Sequence, residues 1–126
     1  MSYINDYAYA MRREDYEMLF TSSGYEEGLK LFSLGYPYII TRDGDEYVVG
    51  SGKDINYKPE SEAWQQFEQL CQSCDGGVVL LQSSDLYGGV EERIIGEDSS
   101  YFDKTLYGLI SYKVSFELPK EGGLNA

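Results

Sequence analysis

The apolar positions divide the chain into short elements separated by turn signals. Between residues 5 and 20, Tyr7, Ala8, Met11, Met18 and Leu19 fall on a helical stripe, and Asn5 or Asp6 supplies an N-cap, so the spacing predicts a helix. Ser22 or Ser23 is placed to cap a second helix from Tyr25 to Leu34, and Gly35 to end it, because glycine takes a positive φ at little cost. A β-hairpin is predicted next. Tyr36 to Arg42 is β-branched and aromatic, Asp43-Gly44 is a strong turn dipeptide, and Asp45 to Gly50 returns with Tyr47, Val48 and Val49. Pro37 removes a backbone donor and points to an edge position for the first of these strands.

Pro59 opens a third predicted helix at its first turn. Trp64, Phe67, Leu70, Cys71 and Cys74 recur at spacings of three and four, while Glu60, Glu62, Gln65, Gln66, Glu68, Gln69 and Gln72 fill the other face, until Asp75-Gly76-Gly77 stops it. Val78 to Gln82 is an unbroken apolar run suited to an interior strand, and Val90 to Ile95 a further strand. Leu106 to Leu118 alternates well enough for a long last strand, with Gly108 as a bulge or twist. Residues 1–119 therefore read as one domain and 120–126 as a flexible tail. The fold expected is α+β: a single small domain with two or three helices on one face of a mainly antiparallel sheet of about five strands.

Hydrophobic residues make up 42% of the chain, enough for a true core and against wholesale disorder. Tyrosine occurs 13 times; its large ring and polar tip suit half-buried strands, where most of these are expected, and binding surfaces. Charge narrows the picture further. Twenty-two acids face ten bases, a net charge of -12, and there is no histidine. The imbalance is local. Between Pro59 and Asp103 stand Glu60, Glu62, Glu68, Asp75, Asp85, Glu91, Glu92, Glu97, Asp98 and Asp103, against Arg93 as the single base. Such a segment repels nucleic acid and anionic lipid and steers toward basic proteins; the plainer reading is that it keeps the protein soluble. Arg12-Arg13 is the one adjacent basic pair and is followed at once by Glu14 and Asp15, so direct nucleic-acid binding is not expected. The opening Met-Ser-Tyr-Ile-Asn-Asp lacks a basic region followed by an apolar run, and apolar runs such as Val78 to Leu81 are far too short to span a bilayer, so a cytoplasmic protein with no membrane association is expected (host cytoplasm if phage-encoded).

Motifs for chemistry are incomplete. Cys71-Gln72-Ser73-Cys74 has C-x-x-C spacing, but it closes a helix instead of opening one, where the helix dipole disfavours a thiolate. Two cysteines without histidine leave a zinc site half built. Gly50-Ser51-Gly52-Lys53-Asp54 has part of a phosphate-loop pattern but lacks the leading glycine and the Ser or Thr after lysine. Asp43-Gly44-Asp45-Glu46 is followed by strand residues where a calcium loop needs oxygen ligands and glycine. A looser cation site among Glu91, Glu92, Glu97, Asp98 and Asp103 competes with a solvated acidic loop. Serine nucleophiles have no histidine base and no G-x-S-x-G elbow. No cofactor and no resident metal are implied, and an enzyme is not expected.

The function expected is that of a small inhibitor that binds and blocks the basic nucleic-acid-binding surface of a partner, a nuclease or other nucleic-acid-binding protein. Carboxylates stand where phosphates would, and tyrosines add contact area. The candidate contact residues are Asp85, Tyr87, Glu91, Glu92, Glu97, Asp98, Tyr101 and Asp103, flanked by Glu60 and Glu62. In general character this is similar to phage-encoded anti-CRISPR and anti-restriction proteins, without a motif-level match to any one family. An immunity protein or antitoxin that neutralises a nuclease toxin has the same physics. A structural or accessory protein self-associating through the edge at Tyr36 to Arg42, and a small carboxylate-and-metal enzyme, are the alternatives of other classes.

Overall fold

A computed structural model describes residues 5–34, 36–55, 62–84, 89–95, 104–106, 108–112 and 116–119. Its elements run β1 (Asn5–Arg12), α1 (Arg13–Leu19), α2 (Glu26–Leu34), β2 (Tyr38–Arg42), β3 (Asp45–Ile55), α3 (Glu62–Gln72), β4 (Val78–Ser84) and β5 (Gly89–Ile95). A 3-10 turn (Lys104–Leu106) and two short strands, β6 (Ser111–Tyr112) and β7 (Phe116–Glu117), follow. The first five strands form one sheet in the order β2-β3-β1-β4-β5, with every neighbouring pair antiparallel. The α+β expectation holds: three helices and a five-stranded antiparallel sheet form a single small domain.

One expected helix is replaced by the central strand. Residues 5–12, read as helical, form β1, and only 13–19 are helix. Tyr7, Ala8, Tyr9, Ala10 and Met11 are all 0% exposed. The large side chains at 7, 9 and 11 enter one core and the alanines at 8 and 10 the other. Alanine favours helices in isolation, but a strand buried on both faces needs small residues where the covering layer comes close, and tertiary context overrides propensity.

The tyrosines of β1 also explain a glycine pair. Tyr9 is paired with Gly50 and Tyr7 with Gly52 on β3. A Cβ at Gly52 would stand 2.5 Å from the Tyr7 ring, and one at Gly50 2.7 Å from the Tyr9 hydroxyl. Gly50-Ser51-Gly52 is thus strand with room cut for two rings, not a phosphate loop. The Tyr9 hydroxyl donates to the Phe32 carbonyl at 2.7 Å, and that of Tyr7 to the Leu31 carbonyl. Both carbonyls lie in the last turn of α2, where helix geometry leaves them without an intrahelical donor. The sheet therefore caps the helix.

Above this face, Phe32 and Phe67 pack at 4.5 Å between ring centroids and Trp64 stacks on Phe67 at 5.0 Å. Gly28 lets α2 approach α3 closely: its N–H donates to Gln66 Oε1 at 2.9 Å, and a Cβ there would meet the Phe67 backbone at 2.7 Å. The hairpin forms as expected, with Asp43 (φ 52°) and Gly44 (φ 86°) in the left-handed turn conformation. β3 continues five residues past the expected Gly50, to Ile55.

The long last strand does not form. Leu109 N–H bonds to the Leu106 carbonyl at 3.3 Å, Gly108 takes φ 81°, and the chain turns. Leu106, Leu109 and Ile110 are thereby laid over Ala8, Ile40, Val49 and Leu81, covering the face opposite the helices. The alternation in the sequence serves this cover and the small β6–β7 pair. The predicted cap Gly35 and the predicted helix start at Pro59 lie outside the described residues.

Candidate functional site

Of the ten candidate contact residues, the structure describes three. Glu62 opens α3 and is exposed, its carboxylate accepting a 3.3 Å bond from Gln66 Nε2. Glu91 and Glu92 lie on β5, in register with Gln82 and Leu81 of β4. Glu60, Asp85, Tyr87, Glu97, Asp98, Tyr101 and Asp103 lie outside the described residues. Directly paired strand residues share a face. Glu92, paired with Leu81, is therefore exposed on the side away from the helices, while α3 and Glu62 lie on the helical side. β5 is an edge strand, and Glu62 and Glu92, the two candidates whose side chains are described, lie on opposite sides of the sheet.

Arg93 is the exception within the acidic segment, and it is directed inward. It pairs with Leu80, on the helical face. Its Nη1 donates to Glu68 Oε2 of α3 at 2.6 Å and its Nη2 to Gln82 Oε1 at 3.1 Å. One guanidinium thus ties α3, β4 and β5 together, and a charge-assisted bond of this kind is stronger than a neutral one. The one base between Pro59 and Asp103 is neutralised within the fold, while Glu62 and Glu92 are exposed.

At the other end of the sheet, Arg12 and Arg13 sit where β1 becomes α1. Arg13 bridges Glu17 (3.3 Å) and Glu46 (3.0 Å), and Arg12 pairs with Glu14. These residues, with Gly44 and Asp45, line a polar depression of about 390 Å³. The Arg13 guanidinium is held above its usual pKa by its bond to Glu17 and the nearby Glu46. Behind it Asp15 is nearly buried and accepts the Gly76 N–H at 2.9 Å. Burial pushes its carboxyl up, against the opposing pull of that N–H and of Arg12.

The cysteines belong to the core. Cys71 and Cys74 are free thiols, buried at the end of α3. Burial pushes Cys71 well above the ordinary thiol range and Cys74 to about 12, with the Cys74 and Asp15 charges respectively next in effect. A thiol held protonated is a weak nucleophile. Among the described residues no group of three or more His, Cys, Asp or Glu is placed to hold a metal ion, and no helix is long and apolar enough to cross a membrane. The looser cation cluster considered above falls largely outside the described residues.

Sequence reasoning missed an apolar surface at the end of α1 and along α2. Phe20, Leu29, Leu34 and Tyr36 line an open groove of about 570 Å³. Leu34 falls at the end of the expected second helix and Tyr36 at the start of the expected hairpin strand, yet both side chains are exposed. The local signal was an aromatic held between Gly35 and Pro37, a position poorly suited to either element.

No protein-family model, curated protein or solved structure matches the chain.

Proposed function

We propose that this protein is a small acidic inhibitor that binds and blocks the basic nucleic-acid-binding surface of a partner, such as a nuclease, in the manner of a nucleic-acid mimic. The observation that carries the reading is the segment from Pro59 to Asp103, with ten acids and a single base, Arg93, which is bound inward to Glu68 and Gln82. A partner approaching β5 meets carboxylate with no exposed base of that segment to oppose it. Complementary charge of this density speeds encounter and makes association salt-sensitive. The binding residues proposed remain Asp85, Tyr87, Glu91, Glu92, Glu97, Asp98, Tyr101 and Asp103, with Glu60 and Glu62 flanking. An anti-defence protein of phage and an immunity protein or antitoxin share this chemistry, and gene neighbourhood separates them. The acid-rich rim is proposed to act by binding, without a catalytic step.

The test is capture by tagged protein from a lysate of its host, eluted on a salt gradient and identified by mass spectrometry. A nuclease or other nucleic-acid-binding protein should elute at raised salt, and reversing Glu91, Glu92, Glu97 and Asp98 to lysine should abolish its capture. Capture unaffected by that reversal would sink the reading. A second reading has an observation of its own: β2 is an edge strand, and its Ile39 is 36% exposed. Unpaired edges template association, so salt-independent recovery of the protein itself would favour self-assembly through β2.

A further inference from the structure

The missed groove has a different character from the acidic rim. Phe20 is 44% exposed, Leu34 43% and Tyr36 87%, and Leu29 joins them between polar neighbours Glu26 and Lys30. Single apolar side chains on a surface are ordinary, whereas a contiguous group with a polar rim marks an interaction site. Two features hold this group in place before any partner arrives. Phe20 packs on Tyr16 at 5.0 Å between ring centroids, and Tyr16 packs on Phe32 of the core at 6.2 Å. Tyr36 is carried on backbone at φ 48°, with its N–H bonded to the Ser33 carbonyl at 3.2 Å. A bulky residue in that region is held against a steric penalty, and such positions cluster at binding sites.

The rim selects the occupant. Lys30 Nζ is paired with Glu27 Oε1 at 3.1 Å. The groove's charged lining residues are Glu26 and Lys30, and because Lys30 is offset by Glu27 outside the lining, the charge left facing the groove is that of Glu26. A second copy of this chain, at -12, is repelled by the first. The open shape suits a chain segment better than a small molecule, whose sites enclose most of the ligand.

We infer that this groove receives an amphipathic segment of the partner protein, its large apolar side chains seated against Phe20, Leu29, Leu34 and Tyr36 and a lysine or arginine beside Glu26. The inference deepens the proposed function and rests on it for the sign of the partner's charge. The acidic rim then supplies speed and salt sensitivity, and the groove supplies the apolar anchors that slow dissociation.

Three short synthetic peptides test it against the full chain labelled with nitrogen-15: an amphipathic leucine-lysine helix, its counterpart with serine for leucine, and its counterpart with glutamate for lysine. The leucine-lysine peptide should shift the amides of Phe20, Leu29, Leu34 and Tyr36. The exposed-site variant Tyr36→Gly should weaken it about tenfold or more, as loss of an aromatic anchor does, while keeping or raising the melting temperature, so that lost binding is not lost folding. Serine and leucine peptides giving the same shift map would overturn the groove and leave the acidic reading standing. Equal groove binding by the leucine-glutamate peptide would overturn the occupant's charge. Silence from the leucine-lysine peptide would overturn the inference, while the salt-gradient capture still decides the acidic reading. A concentration-dependent dimer dispersed by Tyr36→Gly would assign the groove to a second copy and overturn it as well.

Discussion

Tyr9 and Tyr36 are the same residue put to opposite uses. Tyr9 is fully buried, edge-on to Phe32 at 5.1 Å, and its hydroxyl closes the end of α2. Tyr36 lies just past the end of the same helix and is 87% exposed on strained backbone. Around Tyr9 each neighbour answers its shape: Gly50 makes room, Phe32 and Phe67 pack on its ring, and a helix carbonyl accepts its hydrogen bond. Around Tyr36 the local backbone is unfavourable and the ring covers little of its own surface. The first arrangement is what stability selects. The second makes sense as surface kept for another molecule, which is why the two regions should respond in opposite ways to substitution.

The largest contrast is between anchors of the two regions. Phe67 contacts Tyr7, Tyr9, Phe32 and Trp64 and is 0% exposed. Phe67→Ala should cost about 3–5 kcal/mol, the usual range for emptying a buried aromatic site. Phe20→Ala, at a 44% exposed ring, should stay within about 1 kcal/mol. Urea unfolding measures both, and similar losses would dissolve the distinction between core and groove aromatics.

Next in size is the space cut for the buried rings. Gly52→Val places atoms within the Tyr7 ring's volume and should cost about 1–3 kcal/mol or more as overpacking. Tyr7→Ala in the same chain should recover part of that loss. A full additive loss in the double variant would show that the glycine serves the strand for some other reason. Smaller again is Tyr9→Phe, which keeps the ring but strands the Phe32 carbonyl. An unsatisfied buried acceptor costs about 1–3 kcal/mol, and faster amide exchange in the last turn of α2 should accompany it. Unchanged exchange there would mean that the hydroxyl does not cap the helix.

These contrasts mark what was legible in the sequence. The hairpin was legible because Asp43-Gly44 carries its own turn chemistry, and α3 because Trp64, Phe67, Leu70 and Cys71 repeat at the helical period. β1 was not, because a strand buried on both faces shows no polar alternation, and its alanines imitate a helix. The last segment failed for a related reason: Leu106 and Ile110 alternate like a strand but are used as a cover, and only the sheet beneath them decides that. The acidic rim could be counted from the sequence, but its faces could not, since they follow from the register of β5 on β4. The groove was invisible because Leu34 and Leu31 share one helix and one residue type, and the packing of α2 on the sheet alone determines which is buried.

The smallest effect is the most pointed, because its sign is opposite to the others. A tyrosine in the left-handed region costs about 1–2 kcal/mol relative to favoured backbone. Glycine there removes most of that penalty, although its freedom in the unfolded chain takes back a part. Tyr36→Gly should therefore stabilise the protein by about 0.5–1 kcal/mol, since the exposed ring forfeits little burial. Tyr36→Ala separates the two causes: it removes the ring but keeps the backbone penalty, and should leave stability nearly unchanged. Thermal unfolding of the pair decides the matter. Stabilisation by glycine and not by alanine locates the cost in the backbone and means that the native tyrosine is kept at the expense of stability. Loss of stability in both variants would place Tyr36 with Tyr9 among the residues that hold the fold, and the contrast between the two tyrosines would fail at its weakest point.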